Sequence, residues 1–291
     1  MSFGYVGLVT PVRQRSLGSF VPATRKVMRG TAPAERRQTL RRRATSISLC
    51  CNGTVTAHCD KVAPGIFRKT ASGDLMTSAI TKPVGIVAPP RARACYVLAH
   101  GAGAGVDHPF MVEVARGLAL RGVATLRYQF PYMERGGRRP DPPPLAQATV
   151  RAAVAAALKL LPKLPVIAGG KSFGGRMTSQ AQAKTSLGLC GLAFLGFPLH
   201  PAGKPSLDRA QHLFEVQIPM LFLQGTRDTL ASLDLLESLC KKLGRRATLK
   251  LFPDADHSFH VPARTGRKDG QVLEDVLDAF AAWLDSVEKR T

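Results

Sequence analysis

Between Gly85 and Trp283, short and almost unbroken apolar runs alternate with longer segments whose apolar residues recur at helical spacing. That alternation limits the chain to a mostly parallel sheet covered by helices on both faces. The runs are Cys95 to Ala99, Val123 to Arg127, Val166 to Ala168, Leu192 to Leu195, Met220 to Leu223 and Thr248 to Phe252. A strand with one wet face alternates apolar and polar residues; these do not, so they belong where both faces are buried. Between them, Val150, Val154, Leu158 and Leu161 form one helical stripe. Val272, Val276, Phe280, Trp283 and Val287 form another, which predicts a C-terminal helix. The expectation is a three-layer α/β fold with a sheet of about six to eight strands.

One segment breaks the rhythm. Phe130 to Leu145 contains five prolines, three of them consecutive at Pro142, Pro143 and Pro144. Proline removes a backbone donor and suits neither a helix interior nor a central strand, so this reads as a rigid surface excursion.

The run Val166 to Gly175 ends a buried strand and opens a helix containing Met177 to Ala183. Within it Gly170-Lys171-Ser172-Phe173-Gly174 matches G-x-S-x-G, a strand-turn-helix elbow that holds a serine in a strained conformation at a helix N-terminus. A serine hydroxyl is a poor nucleophile at neutral pH and needs a hydrogen-bonded base that is itself oriented by an acid. In such an elbow protein the acid and then the base follow on later strand-end loops. Asp228 falls just beyond the Leu221 to Leu223 run and His257 just beyond Leu249 to Phe252, at the sheet edge where open α/β proteins bind ligands. Asp254, Asp256 and His260 compete for the same roles. The catalytic set predicted is Ser172, Asp228 and His257.

A tetrahedral intermediate also needs two donors for its oxyanion. One is the backbone N–H of Phe173. The second is assigned to Ala102, with Gly101 the fallback, in the glycine-rich loop His100 to Gly105. A phosphate-cradling reading of that loop lacks the Gly-Lys-Ser/Thr that completes a P-loop. His100 is expected to order the loop rather than to act on substrate.

These motifs, taken in order, resemble a known family. His100-Gly101-Ala102-Gly103-Ala104 with His108-Pro109-Phe110-Met111, Arg127 to Glu134, Gly169 to Met177, Gly196 to Pro205, Gln224 to Asp228 and Asp256 to Phe259 are similar to the α/β-hydrolase-like family that contains Tex30 and the KAT8 regulatory NSL complex subunit 3. The likeness runs from about Ala94 to Trp283 and covers nothing of residues 1 to 75. It implies an α/β-hydrolase fold with the serine, aspartate and histidine already picked out, and some relatives in it serve as complex subunits. The chain is more distantly similar to dienelactone hydrolases, which carry a cysteine nucleophile where this chain has Ser172.

The formal charge of +21 suggests a nucleic-acid partner until it is divided along the chain. Residues 1 to 75 carry 13 Lys and Arg against 3 Asp and Glu, far denser than in residues 76 to 291. Their Arg, Ser, Thr and Ala composition, without helical or strand period, predicts a disordered basic extension ahead of a single hydrolase domain at 76 to 291. No aromatic residue interleaves Arg41, Arg42 and Arg43, so a nucleic-acid stacking platform is not supported. The extension reads as an organellar transit peptide or as sequence upstream of a true start at Met76, the latter slightly favoured. Arg36-Arg37-Gln38-Thr39-Leu40 resembles a twin-arginine signal, but Ala44 to Asn52 is too short and polar to be its apolar core. Cys50, Cys51, His58 and Cys59 lack paired zinc-ligand spacing, and Cys95, Cys190 and Cys240 read as buried thiols of a reducing, cytoplasmic compartment. No window is long and apolar enough to span a bilayer. No cofactor or metal is called for.

The expected activity is hydrolysis of an ester or related acyl bond, with a non-catalytic scaffold that kept the fold as the alternative. The stretch Phe197 to Gln217 is too short for a large cap domain, which predicts an open site for short acyl groups. Gly101, Gly103, Lys171, Arg176, Arg127 and Arg227 are the substrate-binding candidates. The cations among them, with Lys204, suggest an anionic small-molecule acyl substrate, although solvated surface is their simpler reading.

Overall fold

Strand β1 (Pro83–Val87) runs antiparallel against β3 (Val123–Tyr128) at one edge of a seven-stranded sheet; every other neighbouring pair is parallel. The computed structural model describes residues 83–289. The basic extension at 1–75 and its Cys50, Cys51, His58, Cys59 cluster lie outside the described residues. The remaining strands are β2 (Ala94–Ala99), β4 (Val166–Lys171), β5 (Gly191–Leu195), β6 (Met220–Gly225) and β7 (Ala247–Phe252), and the sheet order is β1-β3-β2-β4-β5-β6-β7. The sequence pattern anticipated six of these strands. It missed β1, whose proline and glycine weaken any strand signal but are tolerated at an edge.

Six α-helices lie among the described residues: α1 (Pro109–Leu120), α2 (Pro131–Glu134), α3 (Pro143–Leu160), α4 (Phe173–Lys184), α5 (Leu233–Leu243) and α6 (Asp269–Glu288). Strand β2 illustrates how they are sorted, because its successive side chains point to opposite faces. Tyr96 and Leu98 join a core with Met111, Val114 and Leu118 of α1 and Val276 and Phe280 of α6. Cys95, Val97 and Ala99 join the other core, with Val150 and Val154 of α3, Met177 of α4 and Leu236 of α5. Each fully buried Leu or Phe contributes roughly 2 kcal/mol of transfer free energy to this three-layer packing.

The α6 stripe Val272, Val276, Phe280, Trp283 and Val287 is buried throughout. The α3 stripe holds at Val150 and Val154, with Leu161 half-buried against the same core, and is corrected at Leu158. Its inner face is Ala146, Val150, Ala153, Val154 and Ala157, while Leu158 is 38% exposed. Small alanines let α3 approach its neighbours closely, and position 158 has rotated out of that narrow seam.

The proline excursion is corrected as well. Pro142 caps α3, and Pro143 and Pro144 occupy its first turn. The first N–H groups of a helix have no intrahelical partner, so proline costs nothing there and its fixed φ favours the turn. A second short helix, α2, likewise opens on Pro131.

The connection from β5 to β6 holds a single 3-10 helix, Asp208–Glu215, and no cap domain. Among the described residues no helix is long and apolar enough to cross a membrane. Cys95 is buried, Cys190 and Cys240 are half-buried, and all three are free.

Candidate active site

Strand β4 ends at Lys171 and α4 begins at Phe173, leaving Ser172 alone to turn the chain, with φ 49° and ψ −115°. That conformation is costly for a residue with a Cβ. The elbow can be so tight only because its flanks lack side chains. A Cβ on Gly170 would stand 2.1 Å from the Ala99 carbonyl oxygen, and one on Gly174 2.5 Å from that of His100. The serine is thereby raised at the carboxyl edge of the sheet, at the amino end of α4, where the helix dipole favours negative charge.

Two further loops reach the same edge. The turn after β6 carries Asp228 and the turn after β7 carries His257. The imidazole Nε2 lies 2.9 Å from Ser172 Oγ, and Nδ1 lies 2.6 Å from Asp228 Oδ2. Asp228 is buried. Its Oδ1 accepts the Leu230 N–H at 2.8 Å, and its Oδ2 also accepts from the side-chain amide of Gln224. That amide is oriented by its own carbonyl, which takes the Phe197 N–H at 2.8 Å. With Nδ1–H donated to the carboxylate, Nε2 presents its lone pair to the serine hydroxyl. The arrangement can draw a proton from Ser172 and hold the charge that results.

The loop after β2 closes the site from the other side. Gly101 packs directly on the elbow: a Cβ there would lie 3.8 Å from Ser172 Cβ. His100 is fully buried. Its Nε2 accepts the Phe130 N–H at 3.1 Å, so Nδ1 carries the proton and donates to the Gly101 carbonyl at 2.8 Å. Burial lowers its pKa, in keeping with this neutral form. Farther along, Val106 is held through its N–H by Gln129 Oε1 at 2.9 Å and through its carbonyl by Arg127 Nη1 at 2.6 Å. The backbone N–H groups of Ala102 and Phe173 make no hydrogen bond to a protein acceptor among the described residues. Ala102 stands on the loop after β2, and Phe173 is the first residue of α4, directly after Ser172.

A cavity of about 410 Å³ opens over Ser172 and His257, within the range of small-molecule sites. Ala104, Phe110, Met111 and Leu230 give it an apolar wall. Of the residues expected from sequence, Gly101, Ala102, Lys171, Ser172 and His257 line it. Gly103, Phe173 and Asp228 do not line it: Gly103 is exposed, and Phe173 and Asp228 are buried. Arg127, Arg176 and Arg227 are not brought to it. Arg127 is spent on Val106, Arg176 lies 6.0 Å from the Phe173 ring centre, and Arg227 is exposed. Among the described residues no cluster of three or more His, Cys, Asp or Glu side chains is arranged to hold a metal ion.

Sequence reasoning passed over Gln224, Tyr132, Phe110, Met111 and Leu230 as site residues. Phe110 and Met111 stand in the His108 to Met111 string and Gln224 in the Gln224 to Asp228 string, so motif membership was the available signal. Tyr132 and Leu230 had only their nearness to site loops.

Known proteins with the same architecture are numerous. Dienelactone hydrolase from Anabaena variabilis superposes with a TM-score of 0.56 at 22% identity, covering 69% of this chain and 90% of that one. An alpha-beta serine hydrolase homologue from Coxiella burnetii gives 0.55 at 16% identity, covering 67% and 89%. A serine hydrolase without lid from Xanthomonas campestris gives 0.53 at 20% identity, covering 68% and 88%. At these identities the likeness is one of fold. The sequence itself matches the family described as Alpha/beta hydrolase domain over residues 92–285. Since that span takes in every element from β2 to most of α6, and with them the three loops that converge at the sheet edge, the chain belongs to the α/β hydrolase domain family.

Proposed function

We propose that this protein is a serine hydrolase that cleaves a carboxylic ester or related acyl bond. The observation that carries the reading is the unbroken hydrogen-bonded line from Ser172 Oγ through the two nitrogens of His257 to Asp228. In the reaction, Ser172 Oγ attacks the acyl carbonyl while His257 Nε2 takes its proton. The buried Asp228 carboxylate stabilises the imidazolium, and the Phe173 and Ala102 N–H groups receive the oxyanion. Collapse expels the alcohol, which leaves with the proton from His257. Water then repeats the sequence on the acyl-enzyme and restores the serine.

The open cavity and the short β5 to β6 connection favour short acyl groups over long lipid chains. An acyl group bearing a carboxylate also fits, with Lys171 as the cation on the wall; equal kcat/KM for neutral and anionic esters of one acyl length at low salt would dismiss that extension. Within the family, the motif string supports placing the chain beside Tex30 and the KAT8 regulatory NSL complex subunit 3. The three free thiols support a reducing, cytoplasmic setting; enrichment in an organelle on fractionation would favour the transit-peptide reading instead.

The direct test is labelling with a fluorophosphonate probe. Wild type should label and hydrolyse p-nitrophenyl acetate, and Ser172→Ala should do neither. A folded wild type that fails to label would turn the assignment toward a scaffold.

A further inference from the structure

Lys171 stands between Gly170 and Ser172, and its side chain does something the elbow itself does not require. Its Nζ donates a 2.6 Å hydrogen bond to the backbone carbonyl of His257, 86 residues later in the chain. The same nitrogen lies 5.9 Å from the centre of the Phe259 ring, two residues beyond that histidine. Gly196, at the end of β5 with φ 71°, leaves the space for this meeting. A Cβ there would come 3.0 Å from Lys171 Nζ and 3.3 Å from His257 Nδ1 and the His257 carbonyl oxygen. Lys171 Nζ, the His257 carbonyl and the His257 nitrogen that faces Asp228 therefore converge around Gly196.

The need for such a link follows from the topology. Strands β4 and β7 are separated in the sheet by β5 and β6, so the distance from serine to histidine depends on two loops with no direct strand pairing between them. Asp228 steadies the ring of His257 from β6. Lys171 is the group that ties the backbone of the His257 turn to the elbow.

We infer that Lys171 is a positioning residue, strapping the His257 turn to the nucleophile elbow. The inference rests on the reading of Ser172 and His257 given under the proposed function. The charged groups facing this spot are Asp228 from the loop after β6 and Asp256 from the loop after β7, both of which attract the ammonium, and His108 lines the same cavity from the start of α1. Burial brings the Lys171 pKa down to about 8 against these carboxylates, so it is an ammonium at neutral pH and below.

The experiment compares wild type with K171R, K171Q and K171M on p-nitrophenyl acetate, a neutral ester. Kcat and KM are measured, and hydrogen exchange of the backbone amides at 256–260 is followed by NMR. K171M should lose about tenfold in kcat with KM nearly unchanged, the loss expected when a proton acceptor is loosely held. Exchange at 256–260 should quicken in the same variant. K171R should restore most of both. K171Q, a shorter donor without charge, should recover part of kcat. If K171M fails to fold by circular dichroism, K171Q and K171R carry the comparison. Unchanged kcat and unchanged exchange in K171M, or in K171Q where K171M does not fold, would overturn the inference, as would an effect confined to the KM of anionic esters. A wild type that neither labels with fluorophosphonate nor hydrolyses esters sinks the hydrolase reading by itself, and the exchange of the amides at 256–260 then still decides whether Lys171 holds the turn.

Discussion

The hydroxyl of Tyr132 accepts a 3.2 Å hydrogen bond from the Gly103 N–H and lies 3.4 Å from the Gly101 carbonyl, to which it donates. One phenol therefore grips the loop on both sides of Ala102. Tyr132 is fixed in turn by its own N–H, which Asp141 Oδ2 accepts at 2.9 Å, while Asp141 Oδ1 takes Arg135 Nη2 at 2.7 Å. The proline-rich segment is thus a brace for the loop that carries Ala102.

Tyr132→Phe removes the grip and keeps the ring. We expect a loss of about 1 kcal/mol in stability, the usual net worth of a hydrogen bond, and a fall of about three- to tenfold in kcat with KM little changed. Steady-state kinetics beside urea denaturation check this. Full kcat in the variant would show that the loop holds its donor without the phenol.

Gln224 carries a second prediction. Replacing it with leucine leaves the Phe197 N–H unpaired in a buried site and frees Asp228 Oδ2 from one of its donors. A buried group stripped of its partner costs about 1 to 3 kcal/mol. We expect destabilisation of that size and a kcat loss of about tenfold, since the carboxylate that orients His257 is less firmly held. Gln224→Glu should be worse than leucine, because it sets a second carboxyl against the first. Chemical denaturation and kinetics on the two variants decide the order.

How much of this was legible in the sequence depends on whether a signal is local. Five strands could be read because burial on both faces leaves unbroken apolar runs; β7, the other edge strand, was read from Leu249, Leu251 and Phe252, but it is half-exposed, with Lys250 in solvent, and is not buried on both faces as the sequence suggested. The elbow could be read because steric demand writes glycine on each side of Ser172. The edge strand β1 could not, since a strand with one neighbour tolerates the proline and glycine that would disqualify a central one. Pro143 and Pro144 misled for a related reason: a proline run looks like a breaker unless the helix start is already known. Arg127, Arg176 and Arg227 stand beside site loops in the chain, but sequence adjacency does not say where a long side chain points. The clamps made by Tyr132, Gln224 and Lys171 all join residues distant in the chain, so no local pattern announces them.

Away from the active site, Ser179 Oγ lies 2.8 Å from His212 Nε2, beneath the half-buried Arg176. Burial and then the neighbouring Arg176 guanidinium push the His212 pKa down from 6.5 to about 4. The unfolded chain, with an ordinary histidine, takes up a proton near pH 6.5, whereas the folded protein resists until about pH 4. This contribution to stability is therefore complete above pH 6.5 and is lost as pH falls toward 4. Buried His100 adds in the same direction. Urea midpoints between pH 7.5 and 4.5 should decline, and His212→Gln should flatten the decline. An identical slope in the variant would mean that His212 is not one of the groups responsible.

Ser172 pays for its position in backbone strain. At φ 49° and ψ −115° its Cβ is held in a region that glycine enters freely and other residues rarely occupy. Ser172→Ala deletes the hydroxyl and keeps the Cβ, so it retains the strain. Ser172→Gly deletes both. Glycine also enlarges the unfolded ensemble, which offsets the relief by about 0.4 to 1 kcal/mol against a strain of about 1 to 3. The balance predicts that Ser172→Gly is more stable than Ser172→Ala by about 1 kcal/mol, although neither turns over ester. Paired urea denaturations of the two variants measure that difference directly. A glycine variant less stable than the alanine one would mean that the elbow stores no strain at this residue, and that its unusual backbone is satisfied by the surrounding packing alone.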